Sequence, residues 1–342
     1  MNNVRKLLEN SNITKDHPLI RGLLGQRKLL FDEPMSAHTS FRTGGPADVY
    51  IEPENREILI ELITFFMQNG IPVSIVGGGS NLLVSDTGIR GAVLSPVKLD
   101  RITFSDTGDP DKPVLVTAEA GCEMNTLTQW CAEHGLSGLE SFAGLPGTVG
   151  GAAYMNARCY ACSISDVFFE AEIVGFREER CIIEKRQYIP SEWEYKRSPF
   201  QKEYGEKPLL LYGGTPVILS VTFRLFPGLP EHITQEMNEH IRDREEKGHF
   251  RYPSAGSAFK NNREYGKPSG KIIDETGLCG LRIGDAQVSP WHGNFIINTG
   301  NARASEVYAL IKKIKEQVYD RTGFVLEPEI IIAGEWENIE EE

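Results

Sequence analysis

Apolar positions recur at helical spacing in several stretches of the chain. Ile58, Leu59, Leu62, Ile63 and Phe66 form one stripe, with Asn55 placed to cap its start and Gly70 to end it in a left-handed turn. Leu127, Trp130 and Cys131 form a second over 123–134, closed by Gly135. Val307, Leu310, Ile311, Ile314 and Val318 form the clearest, over 304–321, with Gly323 as its stop. A short helical piece is predicted at 270–275 before Gly277, and a strongly charged helix over 231–247. Strand-like apolar runs are predicted at 49–51, 72–76, 91–94, 114–118, 168–175, 215–225 and 295–298. Residues 48–76 then read as a βαβ unit, which places the segment after 76 at the C-terminal end of a strand, where ligands collect in α/β layers. Residues 1–33 are mixed in pattern and are expected at the surface. Phe226-Pro227-Gly228-Leu229-Pro230 reads as a domain boundary.

The segment after 76 is Gly77-Gly78-Gly79-Ser80-Asn81. Consecutive glycines can turn several backbone N–H groups towards one point, and Ser80 and Asn81 add side-chain donors and acceptors, a set suited to a phosphate or pyrophosphate. Neither a G-x-G-x-x-G fingerprint nor a Gly-Lys-Ser/Thr ending is present. A lone glycine triplet is more often a plain tight turn, so its weight depends on other segments converging with it. One candidate is 142–156, which carries Gly144, Pro146, Gly147, Thr148, Gly150, Gly151 and Asn156. Its small residues let a backbone lie against a flat ligand. Leu145, Val149, Tyr154 and Met155 make it too apolar for a flexible linker. Arg42, beside Gly44-Gly45, is a candidate anion contact against the alternative of a surface arginine in a turn. Arg242, Arg244 and Lys247 on the charged helix either reach an anionic substrate or face solvent, and the pattern favours solvent. Ser257, between Gly256 and Ala258, has an uncrowded hydroxyl but no G-x-S-x-G context or His-Asp partner pattern. Glu329 is a carboxylate set in the apolar run 325–332.

Composition narrows the classes. The chain has 342 residues, long enough for two or three domains, with 40% hydrophobic and 25% charged residues. Its net charge of −12 disfavours nucleic acid as a partner. Much of that acid lies in 335–342, which reads as a solvated tail. No run is apolar and long enough for a membrane helix, and the N-terminus lacks a secretory pattern, so a cytoplasmic protein is expected. Six cysteines show no disulfide framework, and seven scattered histidines offer no metal site. Cys159-Tyr160-Ala161-Cys162 is a C-x-x-C without thioredoxin-like or zinc context.

Four separated segments, in order, resemble one family: Ser40-Phe41-Arg42-Thr43-Gly44-Gly45, Gly77-Gly78-Gly79-Ser80-Asn81-Leu82-Leu83, Gly144-Leu145-Pro146-Gly147-Thr148-Val149-Gly150-Gly151 with Asn156, and Gly256-Ser257-Ala258-Phe259-Lys260-Asn261. Leu326-Glu327-Pro328-Glu329 supports them. The chain resembles the UDP-N-acetylenolpyruvoylglucosamine reductases of peptidoglycan synthesis over roughly residues 35–333. The resemblance implies an α+β fold: an FAD-binding fold of vanillyl-alcohol-oxidase type with two α+β subdomains, plus a C-terminal α+β substrate domain. The implied division is 1–95, 96–226, 227–325 and a returning strand and tail at 326–342.

It also implies FAD, with the pyrophosphate near Gly77, Gly78, Gly79, Ser80 and Asn81, Arg42 beside it, and the flavin ring near 144–156. NADPH is the implied electron donor and a UDP-sugar the implied substrate, for a protein expected to be a monomer. Ser257 is the implied proton donor. Glu329 and a cation after Tyr195 are implied to stabilise an enolic carboxylate. Tyr160, Tyr195, Arg244, Lys247 and Asn261 are implied substrate contacts. The family's Tyr-Arg-x-Ser is here Tyr195-Lys196-Arg197-Ser198, which leaves Lys196 and Arg197 both open as that cation, and a family glycine is here Arg158. An oxygen-using flavin oxidase and a non-catalytic nucleotide-sugar binder are the competing classes. The first needs no NADPH; the second is colourless.

Overall fold

The computed structural model describes residues 3–10, 14, 17–105, 108–109, 112–201 and 216–336. Most of the acidic tail, at 337–342, and Thr215, the first residue of a predicted strand, lie outside the described residues. Packing divides the chain into two units that no single cut would separate. One holds 1–31, 49–78 and 91–243; the other holds 32–48, 79–90 and 244–342.

The first unit has two apolar cores. One gathers on the helix Arg56–Gln68, which buries Leu59, Leu62, Ile63, Phe65 and Phe66. Asn55 caps that helix, its side chain accepting from the Ile58 amide at 2.9 Å, and Gly70 takes φ +66 just beyond it. The strand Val73–Ile75 pairs in parallel with Ile89–Leu94, in a sheet ordered Leu29–Pro34, Pro46–Ile51, Ile89–Leu94, Val73–Ile75. The two strands of the expected βαβ unit are therefore not neighbours, because Ile89–Leu94 lies between them. The expectation of a surface N-terminus is also corrected. Asn3–Asn10 and Pro18–Gly25 are helices, and Leu8, Ile20, Leu23 and Leu29 are buried in this same core. Short amphipathic helices bury one stripe and leave the rest polar, which reads as mixed when no long period is present.

The second core lies on an antiparallel sheet ordered Arg180–Gln187, Phe168–Arg177, Val217–Pro227, Val114–Glu119, Ile102–Ser105. Val114, Val116 and Ala118 alternate inward at period two. The central strand serves both cores. Val217 and Leu219 join the first, whereas Val221, Phe223 and Leu225 join the second. A register shift produces the switch: Glu172 pairs with Ser220 but Ile173 with Ile218, and one extra residue reverses which face odd positions occupy. The Phe168–Arg177 and Arg180–Gln187 hairpin turns through Glu178 and Glu179 at φ +49 and +61. A glutamate pair is not a turn signal, so the second strand had no sequence mark.

The second unit is a sheet ordered Ser254–Ser257, Phe295–Asn298, Ala286–Val288, Arg282–Ile283, covered by the helix Ala304–Thr322. That helix buries Val307, Leu310, Ile311, Ile314 and Val318, the predicted stripe, and ends at Gly323 with φ +74. Its start is held from far away in sequence: Asp86 accepts from the Ala304 and Ser305 amides at 2.8 and 3.0 Å. Ile331–Ala333 pairs in parallel with Leu82–Val84, Ile331 opposite Leu82.

Candidate active site

In the first unit the two glycine-rich stretches meet. A Cβ built on Gly78 would lie 2.9 Å from the Gly147 Cα, and one on Gly77 would strike the Thr148 hydroxyl. Only glycine permits this approach. Thr148 also caps the helix Val149–Tyr154, its Oγ1 accepting from the Gly151 amide at 3.4 Å. Gly150 sits against the Ala120 backbone, to which its amide donates at 2.9 Å. Gly144, at φ +75, donates to Asn125 Oδ1 at 2.7 Å. Pro146 is exposed beside Gly147, itself at φ +106. The convergence that a lone triplet needed is thus present: 77–78 and 144–151 form one backbone-lined surface with no room for side chains between its halves. The residues fit a flat cofactor with a polyphosphate arm in that sense.

The rest of the first-unit set lies around the end of this helix. Asn156, buried at φ +41, donates through Nδ2 to the Glu194 carbonyl at 2.8 Å and accepts through Oδ1 from the Ser165 amide at 3.0 Å. Tyr195 and Lys196 are the tip of a tight turn closed by two backbone bonds between Glu194 and Arg197, 3.2 and 3.0 Å long. Lys196 is half-buried at φ +59. Arg197 is exposed, with Nη1 3.5 Å from the Glu194 carboxylate. Tyr160 stacks on His240 at 4.0 Å and donates its hydroxyl within reach of the His240 carbonyl and Asp243 Oδ2, at 3.0 and 2.9 Å. Cys159 and Cys162 face each other across a two-strand pair, and all six cysteines are free. Burial first, then Asp166, pushes the Cys162 thiol up to about 11.

In the second unit, Gly79, Ser80 and Asn81 join the strand that carries Ser257. The Ser40 amide donates to the Gly79 carbonyl at 3.2 Å, and its hydroxyl donates to the Ser254 carbonyl at 2.6 Å. Asn81 Nδ2 donates to the Glu329 carbonyl at 3.1 Å, and the Glu329 amide to the Ala258 carbonyl at 2.8 Å. Ser257 and Glu329, far apart in sequence, are therefore held within one hydrogen-bonded segment, with the half-buried Ser257 next to the left-handed Gly256 at φ +71. Asn294 anchors this segment: its Oδ1 accepts from the Phe259 amide and its Nδ2 donates to the Phe259 carbonyl, at 2.9 and 2.8 Å. Nothing in the pattern of Gly293-Asn294-Phe295 marks that role, just as nothing marked Asn125.

Four other predicted residues lie in the same unit. Asn261 Oδ1 accepts from the Ser269 amide at 2.8 Å. Arg42 is exposed at φ +56. Lys247 is exposed, but Arg244 is buried to 8% exposure, which corrects its assignment to a solvated face. Arg244 lies in the last turn of the helix Pro230–Glu246, whereas Lys247 lies beyond its end. His292 lies in the same unit, packed edge-on against Phe295. Burial, aided by Lys247, holds its pKa below the usual imidazole value.

Residues 47–177 match the family described as FAD binding domain, and residues 248–333 match the C-terminal domain family of UDP-N-acetylenolpyruvoylglucosamine reductase. The fold and the glycine-lined surface thus define an α+β protein with an FAD-binding domain. A reductase of that name from Treponema denticola is 44% identical over 336 residues, covering 98% of this chain and 100% of that protein. One from Treponema pallidum is 43% identical over 332 residues, with 88% and 92% covered. The crystal structure of the Thermus caldophilus enzyme superposes with a TM-score of 0.67 at 31% identity, covering 89% of this chain and 98% of that one. The chain belongs to the UDP-N-acetylenolpyruvoylglucosamine reductase family.

Proposed function

We propose that this protein is an FAD-dependent UDP-N-acetylmuramate dehydrogenase of peptidoglycan synthesis, reducing the enolpyruvyl group of UDP-N-acetylenolpyruvoylglucosamine at the expense of NADPH. The observation that carries this reading, beyond family membership, is the joining of the Ser257 segment to Glu329 and Asn81 in one hydrogen-bonded unit. When bound, FAD supplies a hydride carrier between NADPH and the double bond. Gly77, Gly78, Gly144, Gly147, Thr148, Gly150 and Gly151, with Gly79, Ser80, Asn81 and Arg42, hold and orient it. Ser257 delivers the proton to the carbon beside the one that receives hydride. Reduction next to a carboxylate builds charge on that carboxylate, and Lys196 and Glu329 act there. Lys196 is favoured over Arg197 because Arg197 is more open to water, which weakens its pull on any further charge. Tyr160, Tyr195, Arg244, Lys247 and Asn261 bind the nucleotide sugar. The family resemblance supports a cytoplasmic monomer; among the described residues no helix is long and apolar enough to cross a membrane.

The test is NADPH oxidation by purified holoprotein with and without the enolpyruvyl nucleotide sugar. Substrate-dependent turnover is expected. In Ser257→Ala, NADPH still reduces the flavin while product formation is lost. Rapid oxygen-driven reoxidation with no effect of the nucleotide sugar, or equal loss of both steps in Ser257→Ala, overturns the reading.

A further inference from the structure

The Asn156 side chain is hydrogen-bonded at both ends inside the protein. Asn156 is 3% exposed and sits at φ +41, a conformation asparagine tolerates better than most residues. Its Oδ1 is fixed by the Ser165 amide at 3.0 Å, which also fixes which way the carboxamide faces. Its Nδ2 then donates to the Glu194 carbonyl at 2.8 Å. That carbonyl also accepts from the Arg197 amide at 3.0 Å, so one oxygen both closes the Tyr195-Lys196 turn and receives the tether. The residues that flank the turn are packed as well. Trp193 and Phe200 are buried and pack on Phe168 at 4.7 and 6.1 Å, and Ser198 Oγ donates to the Tyr154 carbonyl at 2.6 Å. The carboxamide thus ties the turn to the end of the helix Val149–Tyr154, whose start Thr148 caps against the glycine loop.

We propose that Asn156 is a positioning residue: through Glu194 it sets where the Lys196 ammonium stands relative to the 144–151 surface. This rests on the reading of Lys196 as the cation that meets the enolic carboxylate. Without Asn156 Nδ2 the turn keeps its internal hydrogen bonds but loses a strut, so Lys196 moves without unfolding. Displacing a catalytic group by about 1 Å costs on the order of 10²-fold in rate.

Asn156→Gly removes the carboxamide and accepts the positive φ without strain. Stopped-flow measurement on the holoprotein separates the two half-reactions. Flavin reduction by NADPH is expected within about twofold of wild type. Reoxidation by the enolpyruvyl nucleotide sugar is expected to slow roughly 10–100-fold. Lys196→Ala slows the same step, and adding Asn156→Gly to it brings no further loss, since the second residue acts only through the first. If Asn156→Gly does not retain FAD, Asn156→Asp, which keeps the acceptor for Ser165 and removes the donor, takes its place in the same cycle. Equal slowing of both half-reactions, unchanged reoxidation, or multiplying losses in the double variant overturns the positioning role. A wild-type protein whose reduced flavin is not reoxidised by the nucleotide sugar overturns the underlying function instead.

Discussion

Substituting Gly78 by alanine strikes the contact on which the backbone-lined surface depends. The new Cβ falls 2.9 Å from the Gly147 Cα, 3.5 Å from its carbonyl carbon and 3.6 Å from the Thr148 nitrogen. Carbon atoms pack at about 3.5–4.0 Å, so one loop must retreat by roughly half an ångström or more. The neighbour is backbone, with no side chain to swing aside. Overpacking of this kind costs about 1–3 kcal/mol. The stiffer unfolded chain returns about 0.4–1 kcal/mol to folding stability, leaving a net loss of roughly 0–2.6 kcal/mol. Gly78 carries no positive φ, so the loss is steric alone. The unfolded chain does not enter FAD binding, so if about 1–2 kcal/mol of the steric cost falls on the cofactor-bound form alone, FAD binds about 5–30-fold more weakly. Flavin fluorescence titration of the apoprotein measures this, with a thermal melt beside it. Gly22→Ala is the control, because a Cβ there meets nothing within 4 Å and the residue lies in the helix Pro18–Gly25. It should leave FAD affinity unchanged and stabilise by about 0.5–1 kcal/mol. If Gly78→Ala binds FAD within about twofold of wild type and melts alongside it, the close approach of the two loops is wrong.

Two further outcomes rest on other parts of the molecule. Asp86→Ala removes two amide acceptors and a negative charge from the start of Ala304–Thr322, and should lower stability by about 1–2 kcal/mol, read by denaturant titration. Burial, then nearby acids, pushes the Cys122 and Cys131 thiols from 9.0 up to about 12. The folded state thus holds these protons more tightly than the unfolded state, so their contribution is intact below pH 9.0 and is lost as pH rises towards about 12. Alkaline unfolding in that window should be delayed in Cys131→Ala relative to its own neutral-pH stability; an unchanged alkaline limb in that variant counts against the burial argument.

Long stripes were legible because an amphipathic period survives in any window: Leu59 to Phe66 and Val307 to Val318 are buried as expected. The segment before Leu29 was not, because two eight-residue helices offer too few turns for a period to stand out. The strand after Glu178-Glu179 was hidden by a turn without glycine or asparagine. For the candidate site, local motifs were readable wherever backbone shape required glycine. Their supports were not, since Asn125 reaches Gly144 across 19 positions and Asn294 reaches Phe259 across 35. Arg244 shows the same limit from the other side: charge alone placed it in water, whereas packing places it inside.

The pairing of Ile331–Ala333 with Leu82–Val84 has an implication for biosynthesis. A nascent polypeptide emerges from its N-terminus, so the strand beside the glycine triplet waits for a mate translated long after it. Until then Leu82–Val84 lacks its parallel neighbour. A product stopped short of Ile331 therefore lacks the strand that completes the pairing of Leu82–Val84.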